Sequence, residues 1–204
     1  EALGEAGAKI LLTSRKAADL EEAAADLQAK GIDTRWVAAD AADPAQVQRV
    51  VDETLQRMGH IDILVNNAGA TWGAPMEDYP LEAWDKVMNL NIRSIFLFSQ
   101  AVGRASMLPR QYGRIINVAS IAGLIGEPNM TAYDASKGAV IARSGNSGHS
   151  FAPAGPGCQG EEGLHQVLHY AGTIAQIVLL GDVAFVDAQF LDAAGKLMPL
   201  LESA

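Results

Sequence analysis

The sequence predicts an α/β protein in which a parallel sheet is covered by helices on both faces. Short apolar runs alternate with longer stretches of helical periodicity, which is the pattern of parallel strands joined by crossover helices. Two of these runs, residues 61–65 and 114–119, are almost continuously apolar, as strands covered on both faces should be. The chain has 204 residues, of which 49% are hydrophobic, so it can bury the core of one domain.

The first part of the chain predicts two strands joined by a helix. Residues 1–8 have the character of a helix end, and residues 9–13 and 34–39 are predicted strands. Between these strands, residues 17–30 repeat leucine and alanine at helical spacing, and Gly31 follows as a residue suited to end a helix. This order predicts the first strand–helix–strand unit of the sheet.

The middle of the chain adds two helices and the two apolar strands. Asp43 and Pro44 predict a helix start, because aspartate is a good N-cap and proline suits the first helical position. That helix presents one apolar stripe and is predicted to end at Gly59. A long helical pattern over residues 81–107 then separates the two apolar strands.

The last quarter of the chain has a different character. Residues 144–163 are rich in glycine, serine and proline, and we expect a flexible connection there. Beyond it, a helix is predicted over residues 164–180 and a short strand over 183–186. His165 and His169 lie four residues apart, but no third ligand is evident, so no metal site is predicted.

Charge and composition narrow the function classes. The formal net charge of −9 argues against a general nucleic-acid binder, because affinity for a phosphate backbone comes largely from clustered lysine and arginine. An anionic nucleotide can still bind through local backbone N–H groups and one or two cations. Cys158 is the only cysteine, which favours a reducing compartment. With no secretory signal and no run of about 20 apolar residues, a cytoplasmic protein without a membrane partner is expected.

Tyr133 and Lys137 form a pair that could carry chemistry. Residues four apart share a face of a helix, so the phenol and the ammonium can meet in one small volume. An isolated phenol titrates near about 10 and is a poor proton shuttle at neutral pH, whereas a neighbouring cation stabilises the phenolate. Such a tyrosine can protonate a developing alkoxide. The alternative is an ordinary helix with a surface tyrosine and lysine.

Three further positions follow strands or interrupt a helix. Ser120 comes after an apolar strand, at the sheet end where ligands bind, or it is a cap or turn serine. Asn67-Ala68-Gly69 also ends a strand, where small residues let a cofactor approach the backbone; a plain turn is the alternative. Asn91 lies inside the long helix and is either buried, where it bends the helix or holds a water, or faces solvent.

Four motifs together resemble one family. They are Asn66-Asn67-Ala68-Gly69, Asn91 within Met88-Asn89-Leu90-Asn91-Ile92, Ser120 after Ile116-Asn117-Val118-Ala119, and Tyr133-Asp134-Ala135-Ser136-Lys137. In this order and spacing, residues 1–141 resemble the short-chain dehydrogenases/reductases. Residues 66–99 look most similar to gluconate 5-dehydrogenase-like members or to reductases of 3-oxoacyl thioesters.

The resemblance implies a three-layer, Rossmann-type, doubly wound parallel sheet and hydride transfer between a nicotinamide dinucleotide and a small carbonyl or alcohol. By that analogy Tyr133 is the acid/base, and Lys137 stabilises its phenolate and holds the nicotinamide ribose. Ser120 would polarise the carbonyl, and Asn91 would support a water in the proton relay. A homo-oligomer is the family's usual assembly.

The resemblance also implies the lining of the cofactor cleft, namely Ser14, Arg15, Asp40, Ala41, Asn67, Ala68, Gly69, Tyr133 and Lys137. Asp40 matches the position that contacts the adenine. An acidic residue after the strand 9–13 would bind the ribose hydroxyl of NAD, but this chain has Ser14-Arg15-Lys16 there. Because a guanidinium matches phosphate geometry, NADP is predicted rather than NAD.

Two departures from the family shape the predicted domain organisation. The first strand and its glycine-rich turn are not recognisable, and they would lie between the strands at Lys9 and Ile61. After Ile141 the sequence no longer follows the family. We therefore predict a partial dinucleotide-binding domain over 1–143, the connection 144–163 and an atypical segment 164–204. The alternative function is an inactive truncated or frame-shifted remnant that binds no dinucleotide.

Overall fold

A computed structural model describes residues 1–151 and 175–177. These residues divide into two compact units, residues 1–38 and the described residues from 39 onward. Each unit is an α/β arrangement with its own parallel strands.

The first unit is a strand–helix–strand motif. After a short helical turn α1 (Ala2–Glu5), strand β1 (Ile10–Ser14) leads into helix α2 (Ala17–Ala29), and the chain returns as strand β2 (Thr34–Ala38). The strands β1 and β2 pair in parallel, and α2 packs on both of them. Gly31, at φ 80°, ends the helix at the position that the sequence predicts.

The second unit contains a three-stranded parallel sheet in the order β3-β4-β5. Its strands are β3 (Ile63–Asn66), β4 (Arg114–Val118) and β5 (Ala175–Ile177). Strand β4 is central, and its last four residues are buried, as the sequence predicts for a covered strand. In register, Asn66 of β3 lies opposite Asn117 of β4.

Five helices accompany this sheet among the described residues. They are α3 (Pro44–Met58), α4 (Leu81–Met88), α5 (Ser94–Val102), α6 (Leu108–Arg110) and α7 (Thr131–Phe151). Helix α3 begins where the sequence predicts, because the Asp43 carboxylate accepts hydrogen bonds from the backbone N–H groups of Ala45 and Gln46. Helix α3 packs on α5, and α7 packs on β4.

The long helical pattern predicted over residues 81–107 is helical throughout but not uniformly α-helical. It widens into a π-helical turn at Asn89–Arg93 and into another at Gly103–Met107. Such turns insert one extra residue into a helix and are frequent at functional sites. The first of them contains Asn91, and it therefore changes where that side chain points relative to a regular α-helix.

Strand β3 differs from the prediction that both of its faces are covered. Ile63 and Val65 remain 39% and 37% exposed, whereas the next residue, Asn66, is buried. Within the described residues, β3 pairs only with β4 and β1 pairs only with β2, so each has one edge without a described partner strand. An apolar run shows that a strand tends to be buried, but its actual cover depends on its neighbours.

Two further differences lie near the end of the described residues. Helix α7 continues to Phe151, so residues 144–151 of the predicted flexible connection are helical; its remainder lies outside the described residues. Residues 175–177 form β5, where a helix was predicted over 164–180. A short apolar run fits a buried strand as well as a helix, and pairing with β4 decides for the strand. The predicted strand 183–186 lies outside the described residues, as do Cys158, His165 and His169.

Candidate active site

Ser120 lies two residues after Val118, the last residue of β4, at the carboxyl end of the central strand of its sheet. Its backbone is extended, with φ −153° and ψ 157°, and a short 3-10 turn, Ile121–Gly123, begins after it. The Ser120 hydroxyl accepts a hydrogen bond from the backbone N–H of Ala122, at 3.2 Å. The residue therefore caps this turn, and its own O–H remains able to donate to another oxygen.

Helix α7 comes into backbone contact with the turn that Ser120 begins. A methyl group at Gly123 would lie 2.6 Å from the carbonyl carbon of Lys137 and 2.8 Å from the nitrogen of Gly138. A methyl group at Gly138 would in turn lie 3.4 Å from the Gly123 oxygen. This pair of glycines therefore sets how close Ser120 comes to the helical turn that carries Tyr133 and Lys137.

Lys137 projects from α7 towards the end of β4. Its Nζ donates a hydrogen bond to the backbone oxygen of Val118 at 2.8 Å, and it lies 5.7 Å from the centre of the Tyr133 ring. The side chain is buried, and burial lowers the pKa of its ammonium group. Since Val118 is two residues before Ser120, this hydrogen bond brings lysine, tyrosine and serine into one part of the sheet edge.

Asn91 is buried, and its side-chain amide bonds protein partners through both Oδ1 and Nδ2. Its Oδ1 accepts a hydrogen bond from the backbone N–H of Ala70 at 2.7 Å, and its Nδ2 donates to the Ala70 carbonyl at 2.9 Å. The second Nδ2 hydrogen goes to the Ser136 hydroxyl, also at 2.9 Å. The structure thus supports the buried alternative for Asn91, but the amide nitrogen has no hydrogen left for a water.

Two buried serines of α7 were missed by sequence reasoning. Ser136 bonds Asn91, and Ser144 accepts a hydrogen bond from Asn117 Nδ2 at 3.1 Å. Asn117 Oδ1 in turn accepts one from Asn66 Nδ2 at 2.9 Å. A polar chain therefore runs from β3 through β4 to α7. A serine within a helix gives no sign of burial, and only its helical spacing from apolar positions such as Val140 could have indicated these roles.

The segments after β3 and after β4 are also connected to each other. The backbone N–H of Ala74 donates to the Asn129 carbonyl at 2.9 Å. Closer to the helix start, the Asp134 carboxylate accepts a hydrogen bond from the backbone N–H of Glu127 at 2.7 Å, while its other oxygen is buried without a protein partner. Trp72 and Leu124 remain exposed on these segments.

The expected cofactor residues are distributed over both units. Asn67, Ala68 and Gly69 follow β3 and are exposed, so they are open to a ligand. Asp40 and Ala41 precede α3 and are half-buried, and the Asp40 carboxylate accepts a hydrogen bond from the Ala42 N–H at 2.9 Å.

Ser14 and Arg15 belong to the first unit. Both are exposed at the carboxyl end of β1, and the Ser14 hydroxyl makes weak contacts with the Lys16 backbone. The four expected catalytic residues lie in the second unit, namely Asn91, Ser120, Tyr133 and Lys137. Ser14 and Arg15 lie in the first unit.

Comparison with known proteins identifies the family. The short chain dehydrogenase profile matches residues 1–155. The chain belongs to the short-chain dehydrogenase/reductase family. The kinship that four sequence motifs indicate is therefore confirmed.

Three relatives illustrate how far the similarity extends. Gluconate 5-dehydrogenase of Gluconobacter oxydans is 36% identical over 138 residues, which are 68% of this chain and 54% of that enzyme. The crystal structure of NAD⁺-bound xylitol dehydrogenase has 38% identity and a TM-score of 0.71, with 74% of this chain and 58% of that one covered. An actinorhodin polyketide ketoreductase solved with NADPH has 28% identity and a TM-score of 0.72, with the same two coverages.

These relatives confirm the fold prediction. The two solved structures named above belong to family members and support an α/β fold. Both units of this chain show such a fold, with parallel strands. The chain spans little more than half the length of the relatives that it matches.

Two general features complete the description of this family member. Within residues 1–151 and 175–177, no cluster of three or more histidine, cysteine or acidic side chains is arranged to hold a metal ion. None of the helices that the structure describes is both long enough and apolar enough to cross a bilayer.

Proposed function

We propose that this protein interconverts a carbonyl and a secondary alcohol by hydride exchange with a nicotinamide dinucleotide. The observation that carries the proposal is the buried ammonium of Lys137, held between the end of β4 and the Tyr133 ring. A phenol beside an ammonium can give its proton to a substrate oxygen and take it back, because the neighbouring cation offsets the negative charge left on the phenol oxygen.

Two side chains act on the substrate oxygen in the proposed reaction, Tyr133 and Ser120. A nicotinamide dinucleotide, when bound, would supply or accept the hydride at the substrate carbon. Tyr133 gives its phenolic proton to the substrate oxygen during reduction and takes it back during oxidation. Ser120 donates its hydroxyl hydrogen to the same oxygen and so stabilises the charge that develops there. This hydrogen is available because the Ser120 hydroxyl accepts, and does not donate, in its bond with the Ala122 N–H.

The residues present fit the nicotinamide half of the cofactor. The Lys137 ammonium has three N–H donors, and its hydrogen bond to Val118 leaves two that can hold the ribose hydroxyls. The exposed residues Asn67, Ala68 and Gly69 offer small side chains at the neighbouring strand end. Asp40 and Ala41 are proposed as the adenine contact.

NADP is the proposed form of the cofactor. Arg15 is exposed directly after β1, and Ser14 precedes it, so a guanidinium and a hydroxyl are available for a ribose phosphate. No acidic residue occupies this position to bind a ribose hydroxyl instead.

Asn91 is proposed as a structural member of the site. Its side chain fixes the segment after β3 through both backbone groups of Ala70, and one lone pair of its Oδ1 remains to accept a bond from water.

The substrate is proposed to be a keto sugar acid or polyol, or alternatively a 3-oxoacyl thioester. The relatives named for gluconate and xylitol support the former class, and the polyketide ketoreductase supports a keto chain.

A second candidate is a protein of this family that binds no dinucleotide. It is favoured by the open edges of β1 and β3, and by the lack, after any described strand, of three closely spaced glycines that would cradle a pyrophosphate. Under this alternative, Tyr133 and Lys137 persist without catalytic use.

Cofactor titration separates the two candidates. The protein is titrated with NADPH and, separately, with NADH, while the fluorescence of Trp36, Trp72 and Trp84 is followed. Saturable binding at micromolar NADPH is expected, with weaker binding of NADH. An unchanged signal up to millimolar NADPH would support the protein without a dinucleotide.

A further inference from the structure

Ser136 occupies the centre of a hydrogen-bond chain that reaches Tyr133. The side chain is completely buried, and its hydroxyl donates to the backbone oxygen of Tyr133 at 2.7 Å. The Ser136 Oγ in turn accepts a hydrogen bond from Asn91 Nδ2 at 2.9 Å. Ser136 therefore joins the first turn of α7 to the π-helical turn Asn89–Arg93.

Asn91 extends this chain to a third segment. It bonds both the N–H and the carbonyl of Ala70, in the segment that follows β3. Both Nδ2 hydrogens are thereby used, so removal of the Ser136 hydroxyl would leave one of them buried without an acceptor. We therefore expect that loss of the Ser136 hydroxyl shifts the position of Tyr133, of Asn91 or of both.

We propose that Ser136 is a positioning residue that holds Tyr133 in the geometry needed for proton transfer. This inference rests on the proposed function, in which Tyr133 exchanges a proton with the substrate oxygen. The hydroxyl does not touch the reacting atoms; it acts through the backbone of Tyr133 on one side and through Asn91 on the other. Proton transfer depends steeply on placement, so loss of this hydroxyl lowers the rate more than it lowers binding.

Ser144 supplies a matched control on the same helix. Its buried hydroxyl donates to the Val140 carbonyl at 2.8 Å and accepts from a buried asparagine, Asn117, at 3.1 Å. The bonding pattern is thus the same as that of Ser136, two turns further along and away from Tyr133. Ser136→Ala and Ser144→Ala therefore remove equivalent hydrogen bonds, and a role in stability alone affects both variants alike.

The first readout needs no catalysis. The protein is labelled with 3-fluorotyrosine, and the Tyr133 resonance is assigned among the four tyrosines by its loss in Tyr133→Phe. In Ser136→Ala the Tyr133 fluorine signal is expected to move or broaden, and in Ser144→Ala it is expected to stay. Equal shifts in both variants, or no shift in Ser136→Ala, would overturn the positioning role even if the protein has no enzymatic activity.

The second readout is the kinetics of carbonyl reduction with NADPH. Ser136→Ala is expected to lower kcat about tenfold or more, with KM for NADPH unchanged and the pH profile of kcat altered. Ser144→Ala is expected to keep the wild-type kcat and pH profile. Equal kcat losses in the two variants would contradict the inference. Absence of turnover in the wild-type protein would instead contradict the proposed function and leave the fluorine result to decide on Ser136.

A third variant covers the case in which Ser136→Ala does not fold. Ser136→Cys keeps a side chain of similar shape with a weak donor and acceptor. It is expected to show the same fluorine shift and kcat loss to a smaller degree. A Ser136→Cys protein that folds and shows neither effect would overturn the inference.

Discussion

Gly123 and Gly138 lie in direct backbone contact, and this contact joins the turn after β4 to helix α7. A methyl group at Gly123 has no space, because it would lie 2.6 Å from the Lys137 carbonyl carbon and 2.8 Å from the Gly138 nitrogen. Both of these neighbours are backbone atoms that cannot rotate away. The spacing between Ser120 on one side and Tyr133 and Lys137 on the other therefore depends on a glycine at this position.

Gly123→Ala is expected to lower the free energy of unfolding by about 1–3 kcal/mol, as overpacking typically does, and to reduce kcat through displacement of Ser120. Urea unfolding and steady-state kinetics measure the two effects. Gly126→Ala is the control in the same segment, because a methyl group there would meet only an ordinary contact at 3.7 Å with the Asp134 carboxylate. It is expected to be neutral or slightly stabilising. Equal stability of the two variants would contradict the close contact.

Lys137 predicts a pH-dependent contribution to stability. Burial lowers the pKa of its ammonium in the folded protein below the usual 10.5, so between the lowered value and 10.5 the unfolded chain binds more protons. The contribution of Lys137 to the free energy of unfolding is therefore expected to rise with pH through that window. Urea unfolding of wild type and Lys137→Met at a series of pH values gives this difference, since methionine does not titrate. A difference that falls with pH would have the wrong sign.

Arg15 predicts a cofactor preference. Arg15→Ala removes a guanidinium that can bind a ribose phosphate, and such charge-assisted bonds contribute about 1.5–3 kcal/mol. The Kd for NADPH is expected to rise about ten- to hundredfold, while that for NADH stays unchanged. Arg35→Ala is the control, because this exposed arginine pairs with Asp33 at the other end of the neighbouring strand. If Arg15→Ala weakens NADH as much as NADPH, Arg15 does not discriminate between the cofactors.

Local signals in the sequence predict much of the fold and of the candidate site. Asp43 and Pro44 predict the start of α3, because capping depends on residues within one turn. Ser120 is predicted at a strand end because the apolar run of β4 is long and ends there. Tyr133 and Lys137 are predicted to share a helix face because the spacing of residues on a helix is fixed by its geometry.

Features that depend on contacts between distant segments could not be predicted. The burial of Ser136 depends on Asn91, which is 45 residues away in the chain. The need for glycine at position 123 depends on the backbone of α7, which follows later in the chain. Helix α7 extends past Ser144 although glycine and serine have a lower helix propensity than alanine. The hydrogen bond between Ser144 and Asn117 stabilises the helix at Ser144.

The reaction itself is tested most directly by isotope transfer. The protein is incubated with NADPH that carries deuterium at the transferable position of the nicotinamide, and with a keto sugar acid or a 3-oxoacyl thioester. The account predicts deuterium on the alcohol carbon of one product, and a rate about 10²- to 10⁴-fold lower in Tyr133→Phe with NADPH binding retained. A wild-type protein that binds NADPH but transfers no deuterium to either substrate, or a Tyr133→Phe variant as fast as wild type, would contradict it.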